Sequence, residues 1–144
     1  MRIRVINGPN LNLLGTREPV LYGSETLADI ERSLETQAQA NQIEIECLQS
    51  NHEGELVEAI QGCRDHFDGL ILNAAAYAHT SIAIRDALLA TGIPTVEVHL
   101  TNLARREDFR RRTLTADVAI GQINGFGAYG YELALAALLN HLNR

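Results

Sequence analysis

The chain has 144 residues, 46% hydrophobic and 21% charged, with a formal net charge of −6. Those values describe one globular domain, able to bury roughly 70% of its unfolded surface without a disulfide or metal staple, and they exclude a general nucleic-acid binder, which needs a basic face. All twelve basic residues are arginine, which excludes Schiff-base catalysis and a P-loop lysine.

The first strand is expected at Arg2–Asn7, a short β-branched segment. Residues 8–25 follow without a credible helix, a long connection for a compact α/β unit and one that points to a lid. A helix starts after Thr26, where Thr26-Leu27-Ala28-Asp29 resembles a capping box and Leu27, Ile30 and Leu34 recur at helical spacing. Residues 43–47 alternate as a strand, and residues 51–66 read as a helix with Leu56, Ala59, Ile60 and Cys63 on one face. Asp68-Gly69 turns into the apolar strand 70–72. A third helix covers residues 81–89 and closes at Thr91-Gly92. Pro94 opens a strand over residues 95–100. A short Arg-rich helix is expected at 106–112, a fifth strand at 118–120 and a last helix at 128–141.

Strands alternating with helices predict an α/β, flavodoxin-like three-layer sandwich: a five-stranded parallel sheet in the order 2-1-3-4-5 with helices on both faces. One catalytic domain, 1–144, with a lid at about 16–25, accounts for the whole chain. In such folds ligands sit beyond the carboxyl ends of the strands, which here deliver Asn7 to Asn12, Asn73 to His79, and Glu97 to Thr101. No apolar run approaches the ~18 residues of a membrane helix, and the opening Met1-Arg2-Ile3-Arg4 is too charged for a signal peptide. The cytoplasm is the expected compartment. Cys47 and Cys63 have no metal-like spacing and read as buried thiols, and the histidines form no zinc-like pair.

Several residues stand out, each with a plainer alternative. Glu97 and His99 are two apart on a strand and share a face; a carboxylate beside an imidazole suits a general acid, though on these two residues alone a structural ion pair is the preferred reading. Arg17 and Tyr22 fall on the outer part of the long connection, which could also be an ordinary surface loop. His79 precedes Thr80-Ser81, a helix start suited to an anion, or is a satisfied loop histidine. In the run Arg105-Arg106-Glu107-Asp108-Phe109-Arg110-Arg111-Arg112 one arginine could turn inward, and the sequence does not say which. Leu133, Leu135, Leu138, Leu139 and Leu142 cover more than one face of the last helix, which predicts burial against another subunit.

Together these segments resemble a known family. The opening Ile6-Asn7-Gly8-Pro9-Asn10-Leu11-Asn12-Leu13-Leu14-Gly15 with Arg17-Glu18 and Tyr22-Gly23 is similar to the signature of type II 3-dehydroquinate dehydratases. Gln49-Ser50-Asn51-His52-Glu53-Gly54, Asn73 with His79-Thr80-Ser81, Glu97-Val98-His99-Leu100 and Gly121-Gln122-Ile123-Asn124-Gly125-Phe126-Gly127 extend the likeness over the chain. The resemblance implies a cofactor-free and metal-free hydro-lyase of the shikimate pathway, or of quinate catabolism, converting 3-dehydroquinate to 3-dehydroshikimate through an enolate. It implies Tyr22 as base assisted by Arg17, His99 oriented by Glu97 as acid, and Asn10 holding the water or donor at the enolate oxygen. Asn73, His79 and Arg110 would bind substrate oxygens, and the backbone of Leu100 and Thr101 its carboxylate. Asp86 would reach a neighbouring subunit's site in a dodecamer built from trimers, with no nucleic-acid or membrane partner.

A phenol ordinarily titrates near 10, so ionising one at neutral pH costs about 4 kcal/mol. A guanidinium in a closed, dry site can supply that stabilisation, so lid closure would assemble the base as well as cover the substrate. Four positions depart from the family pattern: Ala74-Ala75 replaces Pro-Gly, Thr101 replaces Ser, and Ala78 replaces Thr. The competing reading is a small-anion-binding flavodoxin-like module without catalysis. Against it, the first loop lacks a Ser/Thr-rich phosphate cradle, and a phosphoreceiver would need acidic strand ends and a lysine. A purely structural assembly protein is a third reading, for which the apolar last helix speaks.

Overall fold

A computed structural model of the protein describes residues 1–16 and 18–144. Five parallel strands form one sheet: β1 (Arg2–Asn7), β2 (Glu44–Gln49), β3 (Gly69–Asn73), β4 (Thr95–His99) and β5 (Gly121–Asn124), ordered β2-β1-β3-β4-β5. A one-turn helix α1 (Pro19–Tyr22) precedes the longer helices α2 (Leu27–Ala40), α3 (Glu53–Gln61), α4 (Ile82–Thr91) and α5 (Tyr129–Leu142). The expected strand order and layering are those observed.

The period-2 alternation of strand side chains divides the core between the two faces. Ile3, Val5, Ile71, Val96 and Val98 pack with Ile30 and Leu34 of α2 and Leu135 and Leu138 of α5. Ile6, Leu70 and Leu72 meet Leu56 and Ile60 of α3 and Ile84 and Leu88 of α4. Helix starts follow local chemistry. Thr26 and Asp29 form a reciprocal capping box on α2, and the Ser81 hydroxyl accepts from the Ile84 N–H, each cap contributing about 1 kcal/mol. Gly92 ends α4 in the left-handed conformation, at φ 64°.

Three expectations need correction. The fifth strand is not 118–120: Val118 ends a 3-10 turn (Ala116–Val118), Ile120 is exposed, and the strand begins at Gly121. The apolar triplet mimics a strand, whereas the true strand is polar because Gln122 pairs in register with Glu97 and serves it. The Arg-rich helix is instead two 3-10 turns, Leu103–Arg105 and Asp108–Arg110. Finally, Leu135, Leu138 and Leu139 of α5 are buried within the chain itself. Leu138 sits over Gly69, where an added Cβ would come within 2.9 Å of it. The burial of these three leucines is thus met by the chain's own sheet, while Leu133 and Leu142 are partly buried.

Candidate active site

The carboxyl ends of β1, β3 and β4 open onto a cavity of about 160 Å³. Asn10, Tyr22, Asn73, His79, His99, Leu100, Thr101, Arg106 and Arg110 line it. Asn10 arrives there because the chain turns sharply after β1. Gly8 donates to the Asn73 carbonyl at 2.7 Å, and a Cβ on Gly8 would lie 2.4 Å from the Ala74 oxygen, so only glycine permits this approach. Asn10 is left-handed (φ 68°), and its N–H donates to Asn51 Oδ1 at 2.9 Å. Gln49 Nε2 donates to the Gly8 carbonyl and to Asn51 Oδ1, both at 3.1 Å. The Gln49–Asn51 segment, a motif with no evident role in the sequence, is therefore the floor that holds the first loop.

Tyr22 closes one side. Its hydroxyl accepts from Arg106 Nη2 at 3.3 Å, while Arg106 Nη1 donates to Thr101 Oγ1 at 3.2 Å. The guanidinium also lies 5.6 Å from the centre of the Tyr22 ring, within cation–π range. Glu107 sits between two arginines, accepting from Arg110 Nε at 2.7 Å and lying 3.7 Å from Arg106 Nε. The paired 3-10 turns bring Arg106 and Arg110 to the cavity and leave Arg105, Arg111 and Arg112 exposed. Arg106 was missed at the level of sequence, because five arginines crowd residues 105–112 and only the turn geometry separates them. Arg17, the expected helper of Tyr22, lies outside the described residues.

His99, also lining the cavity, is 5% exposed, with Nε2 3.4 Å from Oε1 of the fully buried Glu97. That separation is an ion-pair contact without hydrogen-bond alignment. Burial pushes the Glu97 carboxyl upward, but His99 and the hydroxyls of Thr115 and Thr113 outweigh it, holding the group below its ordinary value. Thr113 Oγ1 donates at 3.0 Å, and Thr115 Oγ1 and Gln122 Nε2 donate as well. A buried carboxylate with this many donors stays ionised. The threonines and Gln122 had no sequence signal, since they are 16 to 25 residues from Glu97.

His79 stacks near His99, with ring centroids 6.1 Å apart. Burial, then the neighbouring His99 and Arg110 charges, lower its pKa despite a contact to the Arg112 carbonyl that raises it. That contact joins Nδ1 to the Arg112 oxygen at 2.9 Å. A carbonyl only accepts, so Nδ1 carries the proton and Nε2 of the neutral ring is an acceptor.

Ala75 adopts φ 51°, the left-handed region, and its N–H donates to Asn73 Oδ1 at 3.1 Å. This conformation costs a residue with a Cβ about 1–2 kcal/mol. Ala75→Gly is expected to raise unfolding free energy by about 1 kcal/mol. An unchanged or lower midpoint in denaturant titration, at equal slope, would show that no strain is stored there. Asp86 does not reach this chain's cavity; it lies on the exposed face of α4 between the exposed Ile82 and Leu89.

A larger groove of about 470 Å³ on the far side of Tyr22 and Arg106 contains neither imidazole. Among the described residues, no group of three or more His, Cys, Asp or Glu side chains could hold a metal ion, and no helix is long and apolar enough to cross a membrane.

Residues 1–139 match the family model described as Dehydroquinase class II. The chain belongs to the class II dehydroquinase family. It is 55% identical to the 3-dehydroquinate dehydratase of Jannaschia sp., over 100% of this chain and 97% of that one. Its identity to the 3-dehydroquinate dehydratase of Geotalea daltonii is 56%, covering both chains completely. The crystal structure of the type II dehydroquinase from Butyrivibrio crossotus superposes with a TM-score of 0.94 at 44% identity, over 96% of this chain and 97% of that one. Within this dehydroquinase the cavity gathers eight of the residues singled out by sequence, with Glu97 buried directly behind His99.

Proposed function

We propose that the protein eliminates water from 3-dehydroquinate to give 3-dehydroshikimate, as a hydro-lyase of the type II dehydroquinase kind. The observation that carries this reading is that two proton-transfer groups line one small cavity. Tyr22, hydrogen-bonded to Arg106, and His99, backed by the buried Glu97, both face it. The dehydroquinase match along residues 1–139 leaves a catalytically silent anion-binding module without support.

In the proposed sequence Tyr22, as phenolate, takes a proton from the carbon next to the ketone. The guanidinium of Arg106 stabilises negative charge on the phenol oxygen, and Arg17 adds a second positive charge. The electron pair of the broken C–H bond moves onto the ketone oxygen as an enolate, stabilised by a water or donor held at Asn10. The enolate then collapses to a conjugated ketone and expels the hydroxyl, which takes its proton from His99 and leaves as water. Ionised Glu97 orients the imidazole for that transfer. Asn73, His79 and Arg110 bind substrate hydroxyls, and the backbone at Leu100 and Thr101 meets the carboxylate.

The segment at about 16–25 acts as the lid. Two glycines of positive φ punctuate it, Gly15 just before it at φ 90° and Gly23 within it at φ 85°, and Val20 between them is fully exposed. Asp86 completes the site of a neighbouring subunit; the apolar Ile82 and Leu89 beside it on an exposed face suit a subunit contact. The assembly is a dodecamer of trimers in the cytoplasm, acting in aromatic amino acid biosynthesis or quinate breakdown. An absorbance assay for the conjugated product, with and without chelator, tests substrate, reaction and metal independence together. No product from 3-dehydroquinate at any enzyme concentration would refute the assignment.

A further inference from the structure

We infer that Tyr131 is a positioning residue for the substrate: its buried hydroxyl locks the Asn73 side-chain amide so that the cavity is offered an N–H donor rather than a carbonyl. The inference rests on reading the cavity as the dehydratase site, and it adds a residue outside that site.

Asn7 and Asn73 are paired in register at the carboxyl ends of β1 and β3. Both are buried, at 0% and 2% exposure, and so is Tyr131 of α5, at 0%. The three side chains form one hydrogen-bonded line. Asn73 Nδ2 lies 2.9 Å from Tyr131 Oη, which lies 2.6 Å from Asn7 Oδ1. Burial drives the Tyr131 phenol upward, so it keeps its proton.

The polarity of this line is set at one end by a group that cannot invert. The Ala75 backbone N–H can only donate, and it points at Asn73 Oδ1 at 3.1 Å. The Asn73 oxygen is thereby fixed as the acceptor, and Nδ2 faces Tyr131. Having received that hydrogen bond, the Tyr131 hydroxyl sends its own proton to Asn7 Oδ1. Asn7 Nδ2 is buried with no hydrogen-bond partner among the described residues. Tyr131 is therefore the group that anchors both amides from the helix side.

One Nδ2 hydrogen of Asn73 remains uncommitted, and Asn73 lines the cavity. Across the same cavity, His79 Nε2 is an acceptor because Nδ1 is committed to the Arg112 carbonyl. A donor and an acceptor facing one space select for hydroxyl groups, which can satisfy both at once. Without the Tyr131 hydroxyl the amide keeps only the Ala75 N–H at its oxygen, so Nδ2 is no longer held from the helix side and its hydrogens are aimed into the cavity less precisely.

The test is Tyr131→Phe, which keeps the ring and removes only the hydroxyl. KM for 3-dehydroquinate should rise about fivefold or more, the loss expected of one hydrogen bond, while kcat changes much less. In an Asn73→Ala background the same change should have no further effect on KM. A lower melting temperature with unchanged KM would make Tyr131 purely structural and overturn the inference, as would an equal KM effect with and without Asn73. If Tyr131→Phe does not fold, Asn7→Ala removes the acceptor of the Tyr131 proton and should raise KM in the same direction; no rise overturns the inference. Wild-type turnover is scored first. Should it be absent, the reading of the site fails, and side-chain amide exchange of Asn73 by NMR still decides: slow in wild type and faster in Tyr131→Phe supports the lock, equal rates refute it.

Discussion

Tyr22→Phe is expected to lower kcat about 10³-fold, within the range contributed by a positioned general base and equivalent to about 4 kcal/mol of transition-state stabilisation. The ring would remain against Arg106, 5.6 Å from the guanidinium, so the cavity wall and substrate affinity should persist. The effect belongs in kcat, because the phenol oxygen matters most when it carries the transferred proton. Single-turnover kinetics with a separate measurement of substrate binding checks both halves. Turnover within tenfold of wild type would eliminate Tyr22 as the base. Loss of binding in step with turnover would instead make it a wall residue.

His99→Ala is expected to cost a similar factor of about 10³ in product formation, but to do so at a different step. Removal of the proton next to the ketone is assigned to Tyr22 and Arg106 and not to the imidazole, so solvent deuterium should still enter the substrate at that carbon. The departing hydroxyl, lacking a proton donor, leaves slowly. Exchange without elimination, followed by NMR of recovered substrate, is the expected signature. Abolished exchange together with abolished elimination would place His99 in the first step and contradict the division of roles. The variant also leaves the fully buried Glu97 without its ion-pair partner. Thr113, Thr115 and Gln122 still hold that carboxylate, which argues that the fold survives the change.

The sequence determined those features of this protein that repeat along the chain or are settled by near neighbours. Strand periodicity and the Thr26–Asp29 capping box specify elements within a few residues, and alternating strands and helices restrict the sheet to very few orders. Glu97 and His99 were readable as a pair because a two-residue spacing on a strand puts both on one face. The similarity in the first loop and in the segments after strands three and four pointed to a dehydroquinase for the same local reason.

The tertiary structure alone decided everything that depends on residues far apart meeting. Arg106 and Arg110 were chosen over their neighbours by two consecutive 3-10 turns, whose irregular geometry no hydrophobic period encodes. Strand β5 was misplaced because its polar residues are stabilised by Glu97 across the sheet, while the apolar Val118-Ala119-Ile120 beside it only imitates a strand. Leu135 and Leu138 pack on their own sheet, so their apolar character alone could not say which surface covers them. The Asn7–Tyr131–Asn73 line spans up to 124 residues of chain. A hydrogen bond between such distant groups leaves no local pattern, because its geometry exists only after the core has brought the strands and the last helix together.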